Sequence, residues 1–188
     1  MKNTIQPFQF PIYQNFIDDK FYNQIKKGAD IYIKENIDNF NVKWFCPTTS
    51  NWIKKTNPYF SQIKDIIKPH ISNYFNTWKF QNDKNLLIDE IWINIASKNA
   101  YQEEHYHNNF FSGVLYLETF PDSGAIQFMN PLSTESLFMD LPEIFNFAHL
   151  IQPTNSMVLI FPGWLKHRVL PNTSDNNRIT IAFNVIKK

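Results

Sequence analysis

The sequence RITIAFNV, residues 178–185, decides the fold because it alternates two kinds of side chain without interruption. Successive side chains of a β-strand point to opposite faces, so one face carries Arg178, Thr180, Ala182 and Asn184. The other face carries Ile179, Ile181, Phe183 and Val185. The apolar face predicts packing beneath other elements. The polar face predicts a functional cavity, with a face turned simply to water as the alternative.

Other segments of the second half share this β character. Residues 86–96 alternate in the same way, with isoleucines on one face and Trp92 and Asn94 on the other. Trp92 is interpreted here as a core residue. Further strands are predicted at residues 110–117, 125–129, 157–161 and 179–185, with turns at 121–124 and 171–173 between them. Residues 131–150 are expected to form a longer connection with room for a short helix.

The first half predicts helices. Apolar residues spaced among charges indicate an amphipathic helix over residues 18–37, and a second over 58–78 in which Pro69 should kink or split the helix. Residues 8–13 are expected to form an edge strand. Helices followed by short strands predict an α+β chain, with a sandwich or barrel of strands and the helices packed outside. We expect one domain over residues 1–188, with 1–85 a mainly helical support and 86–188 the core that carries the site.

Composition narrows the function classes. The 188 residues are 43% hydrophobic and carry a formal charge of +1, which gives no electrostatic footprint for nucleic acid or an anionic membrane. A single cysteine, Cys46, excludes a disulfide framework, and four glycines leave no phosphate-binding glycine loop. With no apolar leader or membrane-spanning run in view, a cytoplasmic location is expected.

Histidine spacing points to a metal site. His105 and His107 stand at positions i and i+2, which an extended backbone turns to the same side. His167 follows another β-rich run, and antiparallel pairing would bring it opposite that pair. Three such ligands leave open positions on a metal for substrate, water or dioxygen. A His-x-His pair alone is a weak motif, and ordinary surface or core histidines are the alternative.

Arg178 adds a second element to this hypothesis. A guanidinium on the cavity face suits the two-point capture of a carboxylate. The alternative is a structural ion pair with Asp89 or Glu90.

The order of motifs from the His-x-His pair to the last strand resembles the 2-oxoglutarate/Fe(II)-dependent dioxygenases. The likeness covers roughly residues 88–186, and its closest branch is the prolyl-4-hydroxylase-like one, which includes small bacterial and phage oxygenases. The segments that carry it are His105-Tyr106-His107, SGVLYL at 112–117, DSG at 122–124, FPGWLKHRV at 161–169, Asn172 and RITIAFN at 178–184.

The resemblance implies a double-stranded β-helix, or jelly roll, and an oxygenase that uses Fe(II), 2-oxoglutarate and dioxygen. Such an enzyme hydroxylates a C–H bond and releases succinate and CO2. By position, His105 would be the first iron ligand and His167 the distal one. The cosubstrate would be held by Arg178, Tyr116, Thr180 and Asn94.

Position 107 departs from the family pattern. The usual second ligand is a carboxylate in His-x-Asp, whereas this chain has His107. Three neutral imidazoles would leave the metal centre more positive, and they leave the identity of the metal open. A carboxylate from Glu103 or Glu104 is the alternative second ligand, ranked below His107.

Two other functions remain open from the sequence. One is a three-histidine metal protein of cupin type that does not use 2-oxoglutarate, and the other is a non-catalytic jelly-roll binding module. The substrate is expected to be a small molecule or a peptidyl residue, with no nucleic acid or membrane as partner. The sequence leaves a homodimer open.

Overall fold

The computed structural model describes residues 10–42, 46–78, 85–131 and 148–188. Two α-helices, α1 (Asp19–Asn36) and α2 (Pro58–Thr77), belong to the first half of the chain, and the 3-10 turn Ile37–Asn39 follows α1. The strands are β1 (Tyr13–Phe16), β2 (Asn41–Val42), β3 (Thr49–Trp52), β4 (Leu86–Ala96), β5 (Gln102–His105), β6 (Phe111–Glu118), β7 (Ile126–Met129), β8 (Ala148–Ile151), β9 (Met157–Pro162), β10 (His167–Val169) and β11 (Arg178–Lys187).

The strands form two antiparallel sheets that face each other as a double-stranded β-helix. The major sheet has the order β1-β9-β6-β11-β4-β3-β2, and the minor sheet has the order β5-β10-β7-β8. The long strand β11 lies at the centre of the major sheet, between β4 and β6. The predicted α+β jelly roll is therefore confirmed.

Both helices pack on the outer face of the major sheet, as predicted. Buried side chains of α1 and α2, such as Ile25 and Ile63, join one apolar cluster with Ile93, Ile181 and Phe183 of the sheet. The apolar face of β11 thus lies beneath the helices, which leaves its polar face turned toward the minor sheet. Neither described helix is long and apolar enough to cross a membrane.

A smaller apolar cluster closes the space between the sheets at one side. Its buried members include Phe128 of β7, Leu159 and Phe161 of β9, and Leu165. Because these side chains fill only part of the interior, the polar side chains of β4, β6 and β11 face a cavity.

The sequence prediction was correct for the four longest strands, for the shorter strand β7 and for both helices, and some of its other details were wrong. Pro69 lies inside an unbroken α2, so the predicted split does not occur. The buried apolar face of α2 holds the helix together across the missing backbone donor of the proline. The edge strand is Tyr13–Phe16, so it begins after Pro11 rather than including it.

Short strands are the elements that the sequence analysis missed. Strands β2, β3, β5, β8 and β10 have two to four residues each. β3 pairs with β4, so the first 85 residues contribute strands as well as helices to the major sheet. The proposed connection at 131–150 ends in β8, and its residues 132–147, like residues 8–9 of the expected edge strand, lie outside the described ranges.

Candidate active site

A cavity of about 90 Å³ lies between the two sheets. The major sheet supplies the polar side chains of β4, β6 and β11, and the minor sheet supplies β5, β7 and β10. The lining includes all seven residues predicted for the site: Asn94, His105, His107, Tyr116, His167, Arg178 and Thr180.

Three histidines converge on this cavity. His105 ends β5 and pairs directly with His167, which begins β10. His107 follows two residues later, and the backbone N–H of His107 donates to Gly163 O at 2.8 Å, which ties this segment to the turn before β10. One side-chain nitrogen from each of the three histidines lies within 4.8 Å of the other two. Three ligands about 2.1 Å from one ion lie roughly 3.0–3.4 Å from one another, so modest side-chain movements toward a common centre would let all three nitrogens bind one ion.

Backbone carbonyls orient two of these imidazoles. Nδ1 of His105 lies 2.7 Å from Glu103 O, and Nδ1 of His167 lies 2.8 Å from Leu165 O. A carbonyl only accepts, so Nδ1 carries the proton in both rings and Nε2 keeps its lone pair. This arrangement, with one ring nitrogen held by a carbonyl and the other free, is typical of histidines that bind a metal.

Burial keeps the cluster neutral at physiological pH. Burial lowers the pKa of His105. Burial also lowers the pKa of His107 to about 4, and repulsion by the protonated form of His105 contributes to this shift. The same causes hold the pKa of His167 well below its ordinary value. Neutral imidazoles are the form that ligates a metal, so the protein pre-selects the protonation state that binding requires.

Arg178 begins β11, and its side chain is only 4% exposed. Its Nη1 donates to the backbone carbonyls of Ser123 and Gly124, the latter at 3.1 Å. Within the described ranges no carboxylate lies within ion-pair distance of the guanidinium. Burial lowers the pKa of Arg178, but the group stays charged. A buried cation without a counterion is costly, so this end of the cavity is prepared for an anionic ligand.

Gly124 makes room for that guanidinium. Its φ of +86° is a left-handed conformation that favours glycine, and a Cβ there would lie 2.7 Å from Nη1 of Arg178 and 2.2 Å from Leu170 O. The turn at 122–124 therefore places two carbonyls against the arginine only because residue 124 lacks a side chain.

The other predicted cosubstrate residues form one row across the major sheet. Thr180 of β11 pairs with Asn94 on one side and with Tyr116 on the other. Asn94 Nδ2 donates to Thr180 Oγ1 at 3.3 Å, and Ser50 Oγ donates to Asn94 Oδ1 at 2.6 Å. Burial raises the pKa of Tyr116, with Arg178 opposing that rise, so its hydroxyl remains a donor. The row lies two residues along β11 from Arg178, on the same face of the strand.

The alternatives considered from the sequence do not appear in this geometry. Glu104 is exposed and lies 3.4 Å from Lys166 Nζ, and Glu103 is exposed. Among the described residues, the only group of three or more potential metal ligands is the three histidines. Asp89 pairs with Lys55 and Glu90 accepts from Asn184, so neither is the partner of Arg178.

Sequence reasoning missed several residues that build the site. Asn172 is fully buried, and its Nδ2 donates to Ala96 O at 2.9 Å and to Asn176 O at 2.8 Å, which fixes the loop before Arg178. Trp92 is buried, as predicted for a core residue, and it also lines the cavity. The signal for Trp92 was available, because it shares its strand face with Asn94.

This arrangement separates two binding tasks inside one cavity. Neutral nitrogen ligands, a buried cation, and hydroxyl and amide groups all line it. The donor set fits a divalent metal of the Fe(II) type, and the arginine fits the far carboxylate of a dicarboxylic acid that also reaches the metal.

Comparison with known proteins agrees with this geometry. The sequence model of a family described as "Putative 2OG-Fe(II) oxygenase" matches residues 90–184. No curated protein matches the chain in sequence.

Solved structures share the fold at low sequence identity. A Pseudomonas putida prolyl-4-hydroxylase superposes with a TM-score of 0.69 at 15% identity, covering 96% of this chain and 94% of that one. A viral collagen prolyl hydroxylase from Paramecium bursaria Chlorella virus-1, solved with 2-oxoglutarate, gives 0.62 at 14% identity, covering 97% of each chain. HygX from Streptomyces hygroscopicus, solved with nickel, 2-oxoglutarate and hygromycin B, gives 0.63 at 12% identity, covering 95% and 83%.

The family match spans half of the chain and includes each of the three histidines and Arg178. The structural matches extend the same fold over nearly all of it. The chain therefore belongs to the 2OG-Fe(II) oxygenase family.

Proposed function

We propose that this oxygenase hydroxylates a C–H bond of a small-molecule or peptidyl substrate, using His105, His107 and His167 as metal ligands and Arg178 as the anchor for 2-oxoglutarate. The observation that carries this proposal is the pairing, in one cavity, of a neutral three-histidine cluster with a buried guanidinium that has no carboxylate partner among the described residues. A cytoplasmic location is part of the same proposal.

The protein's contribution is to bind and orient. Arg178 would donate hydrogen bonds to the distal carboxylate of the cosubstrate, and this ion pair offsets the cost of keeping the guanidinium buried. Tyr116 and Thr180 stand beside it with hydroxyl groups, and Asn94 is held against Thr180 by Ser50. When bound, Fe(II) and 2-oxoglutarate supply the oxidising chemistry from dioxygen, with succinate and CO2 as co-products.

The ligand set differs from the family's usual one in charge. Two imidazoles and a carboxylate carry one negative charge, whereas three imidazoles carry none. The fold compensates by excluding water and by fixing the rings through Glu103 O and Leu165 O before a metal arrives. Preorganisation of this kind offsets part of the affinity that the missing carboxylate would provide.

Succinate release tests the proposal. We expect Fe(II)-loaded protein to convert 2-oxoglutarate slowly to succinate in air, without added substrate, and not under argon. His105→Ala should abolish both the conversion and stoichiometric metal binding. His149→Ala is the matched control because His149 is an exposed histidine on β8, and it should behave as wild type. Equal iron content and equal conversion in the two variants would refute the assignment of the ligands.

A further inference from the structure

We propose that the cavity binds a cationic amine group of the substrate at the end away from Arg178, through Glu90 and the stacked indoles of Trp52 and Trp92. The role of this subsite in catalysis rests on the proposed oxygenase function. The binding of the amine itself does not.

The strand register places these groups beyond the metal ligands. Along β11, Arg178 begins the strand and Asn184 lies six residues later on the same face. Asn184 pairs with Glu90 of β4 on one side and with Ser112 of β6 on the other. Ser112 lines the cavity, and Glu90 is exposed, so this row runs from the cavity to its rim.

A buried amide holds the carboxylate of Glu90 in place. Asn184 is 4% exposed; its Nδ2 donates to Glu90 Oε2 at 2.8 Å, and its Oδ1 accepts from Ser112 Oγ at 2.9 Å. Both the NH2 group and the carbonyl oxygen of the Asn184 amide are therefore engaged. The NH2 group fixes one oxygen of the Glu90 carboxylate. The second oxygen of Glu90 remains available to a ligand.

The partner of the Glu90 carboxylate is the neutral amide of Asn184. Lys55, a nearby lysine on the neighbouring segment, is engaged with Asp89 at 2.5 Å. An oriented carboxylate with a neutral partner is suited to a cationic group brought by a ligand.

Two indoles complete the subsite. Trp52 and Trp92 are stacked, with ring centroids 5.4 Å apart and planes 13° apart. Trp92 shares the strand face of Glu90, and its ring centroid lies 6.0 Å from that of His107. Half-buried Trp52 leaves aromatic surface accessible beside the carboxylate. Indole faces attract ammonium groups, and a neighbouring carboxylate reinforces that attraction.

The cavity thus has opposite preferences at its two ends. Arg178, at the start of β11, favours a carboxylate, whereas Glu90 and the indoles, beside the later part of the same strand, favour an ammonium group. His107 lies near the second group, with its ring centroid 6.0 Å from that of Trp92. A neutral hydroxyl donor at Glu90 is the alternative that the experiment separates from an amine.

The test compares two probes that differ in charge. Nα-acetyl-lysine amide carries an ammonium group, and Nα-acetyl-norleucine amide has the same aliphatic chain without the nitrogen. Each is titrated, without oxygen, into Mn(II)- and 2-oxoglutarate-loaded protein and into unloaded protein, by calorimetry with tryptophan fluorescence in parallel. We expect the lysine derivative to bind at least tenfold more tightly than the norleucine derivative.

Glu90→Gln keeps the shape and hydrogen bond of the side chain and removes its charge, so it should abolish this preference while 2-oxoglutarate binding is unchanged. Glu35→Gln, an exposed change on α1, should leave the preference intact. Trp52→Leu should weaken binding of the lysine derivative at least threefold, which gives a second route to the same answer if Glu90→Gln folds poorly.

Equal affinity for the two probes, a preference that survives Glu90→Gln, or no binding of either probe while 2-oxoglutarate binds would overturn the proposal. Tighter binding of a hydroxyl analogue, Nα-acetyl-6-hydroxynorleucine amide, would also overturn it in favour of a neutral donor. Failure of 2-oxoglutarate to bind wild-type protein would instead count against the proposed oxygenase function, and the amine preference of unloaded protein would still decide this inference.

Discussion

Replacing Arg178 with methionine should remove 2-oxoglutarate binding and leave the ligand-free fold nearly as stable as before. The side chain is 4% exposed, and its described partners are two backbone carbonyls rather than a carboxylate. Among the described residues, the guanidinium therefore has no carboxylate counterion, and a ligand carboxylate would supply one. Methionine fills much of the same volume without that charge.

The expected loss of 2-oxoglutarate affinity follows from the removal of one partner of a buried charge pair. Truncating such a partner costs about 2–5 kcal/mol of binding free energy. Taking ~3 kcal/mol for a carboxylate that keeps its contacts to Tyr116 and Thr180, the Kd for 2-oxoglutarate should rise ~150-fold. In the ligand-free protein, the lost bonds to Ser123 O and Gly124 O are offset by the removed cost of burying a charge, so the free energy of unfolding should change by less than about 2 kcal/mol.

Anaerobic calorimetry of 2-oxoglutarate into Mn(II)-loaded protein measures the first quantity, and urea unfolding of the metal-free protein measures the second. Arg168→Met is the matched control, because Arg168 lies on the exposed side of β10 and its Nε donates to Gln127 Oε1 at 2.5 Å. Its Kd should equal that of wild type. The reasoning is refuted if Arg178→Met binds 2-oxoglutarate as wild type does, or if it unfolds as readily as a core cavity variant.

Three further predictions concern the supports of the site. Gly124→Ala should lower the free energy of unfolding by at least about 2 kcal/mol and weaken 2-oxoglutarate binding, because a Cβ would meet Leu170 O and Arg178; unchanged melting and calorimetry would contradict this. Asn172→Ala should cost about 2–4 kcal/mol in urea unfolding, since it leaves the buried carbonyl of Ala96 without its donor; a cost under ~0.5 kcal/mol would be inconsistent with the anchoring role. Metal-free protein should lose stability as pH falls from about 6.5 toward 4, because unfolded histidines bind protons that the buried ring of His107, with its pKa of about 4, does not. That one group accounts for up to about 3 kcal/mol of the free energy of unfolding, lost at acid pH and fully present above pH ~6.5, so His107→Gln should lose less stability than wild type over this pH range, and an unchanged pH profile would contradict the prediction.

The sequence was sufficient to predict the parts of the fold that repeat a period over many residues. Strand β11 shows eight residues of alternation, so its two faces, its packing beneath the helices and the inward side of Arg178 could all be inferred. The long strand β4 was predicted with its observed bounds for the same reason. Amphipathic spacing likewise predicted α1 and α2 to within a residue or two.

Short strands and long-range register were beyond that reasoning. β5 reads QEEH and β10 reads HRV, and neither is long or apolar enough to show a period. Yet the pairing of His105 with His167 depends on these two strands. The sequence motifs placed both histidines near strands, but only the pairing of strands that lie 61 residues apart brings them face to face.

The hydrogen-bond partners of polar side chains were the second feature that the sequence did not predict. The alternation of β11 placed Asn184 on the cavity face, but it did not say that Ser112 and Glu90 would be its partners. In the same way, Arg178 was predicted to face inward, whereas its two carbonyl acceptors come from a turn 54 and 55 residues away. Such contacts depend on which strands become neighbours, which local periodicity does not specify.

The most direct measurement of the central claim is a crystal structure of the protein with Mn(II) and 2-oxoglutarate, with the metal located by anomalous scattering. We predict one metal ion bonded to a side-chain nitrogen of His105, His107 and His167 at about 2.0–2.3 Å, and the distal carboxylate of 2-oxoglutarate on Arg178. A metal held by Glu103 or Glu104 in place of His107, or a cosubstrate whose distal carboxylate lies away from Arg178, would contradict the account.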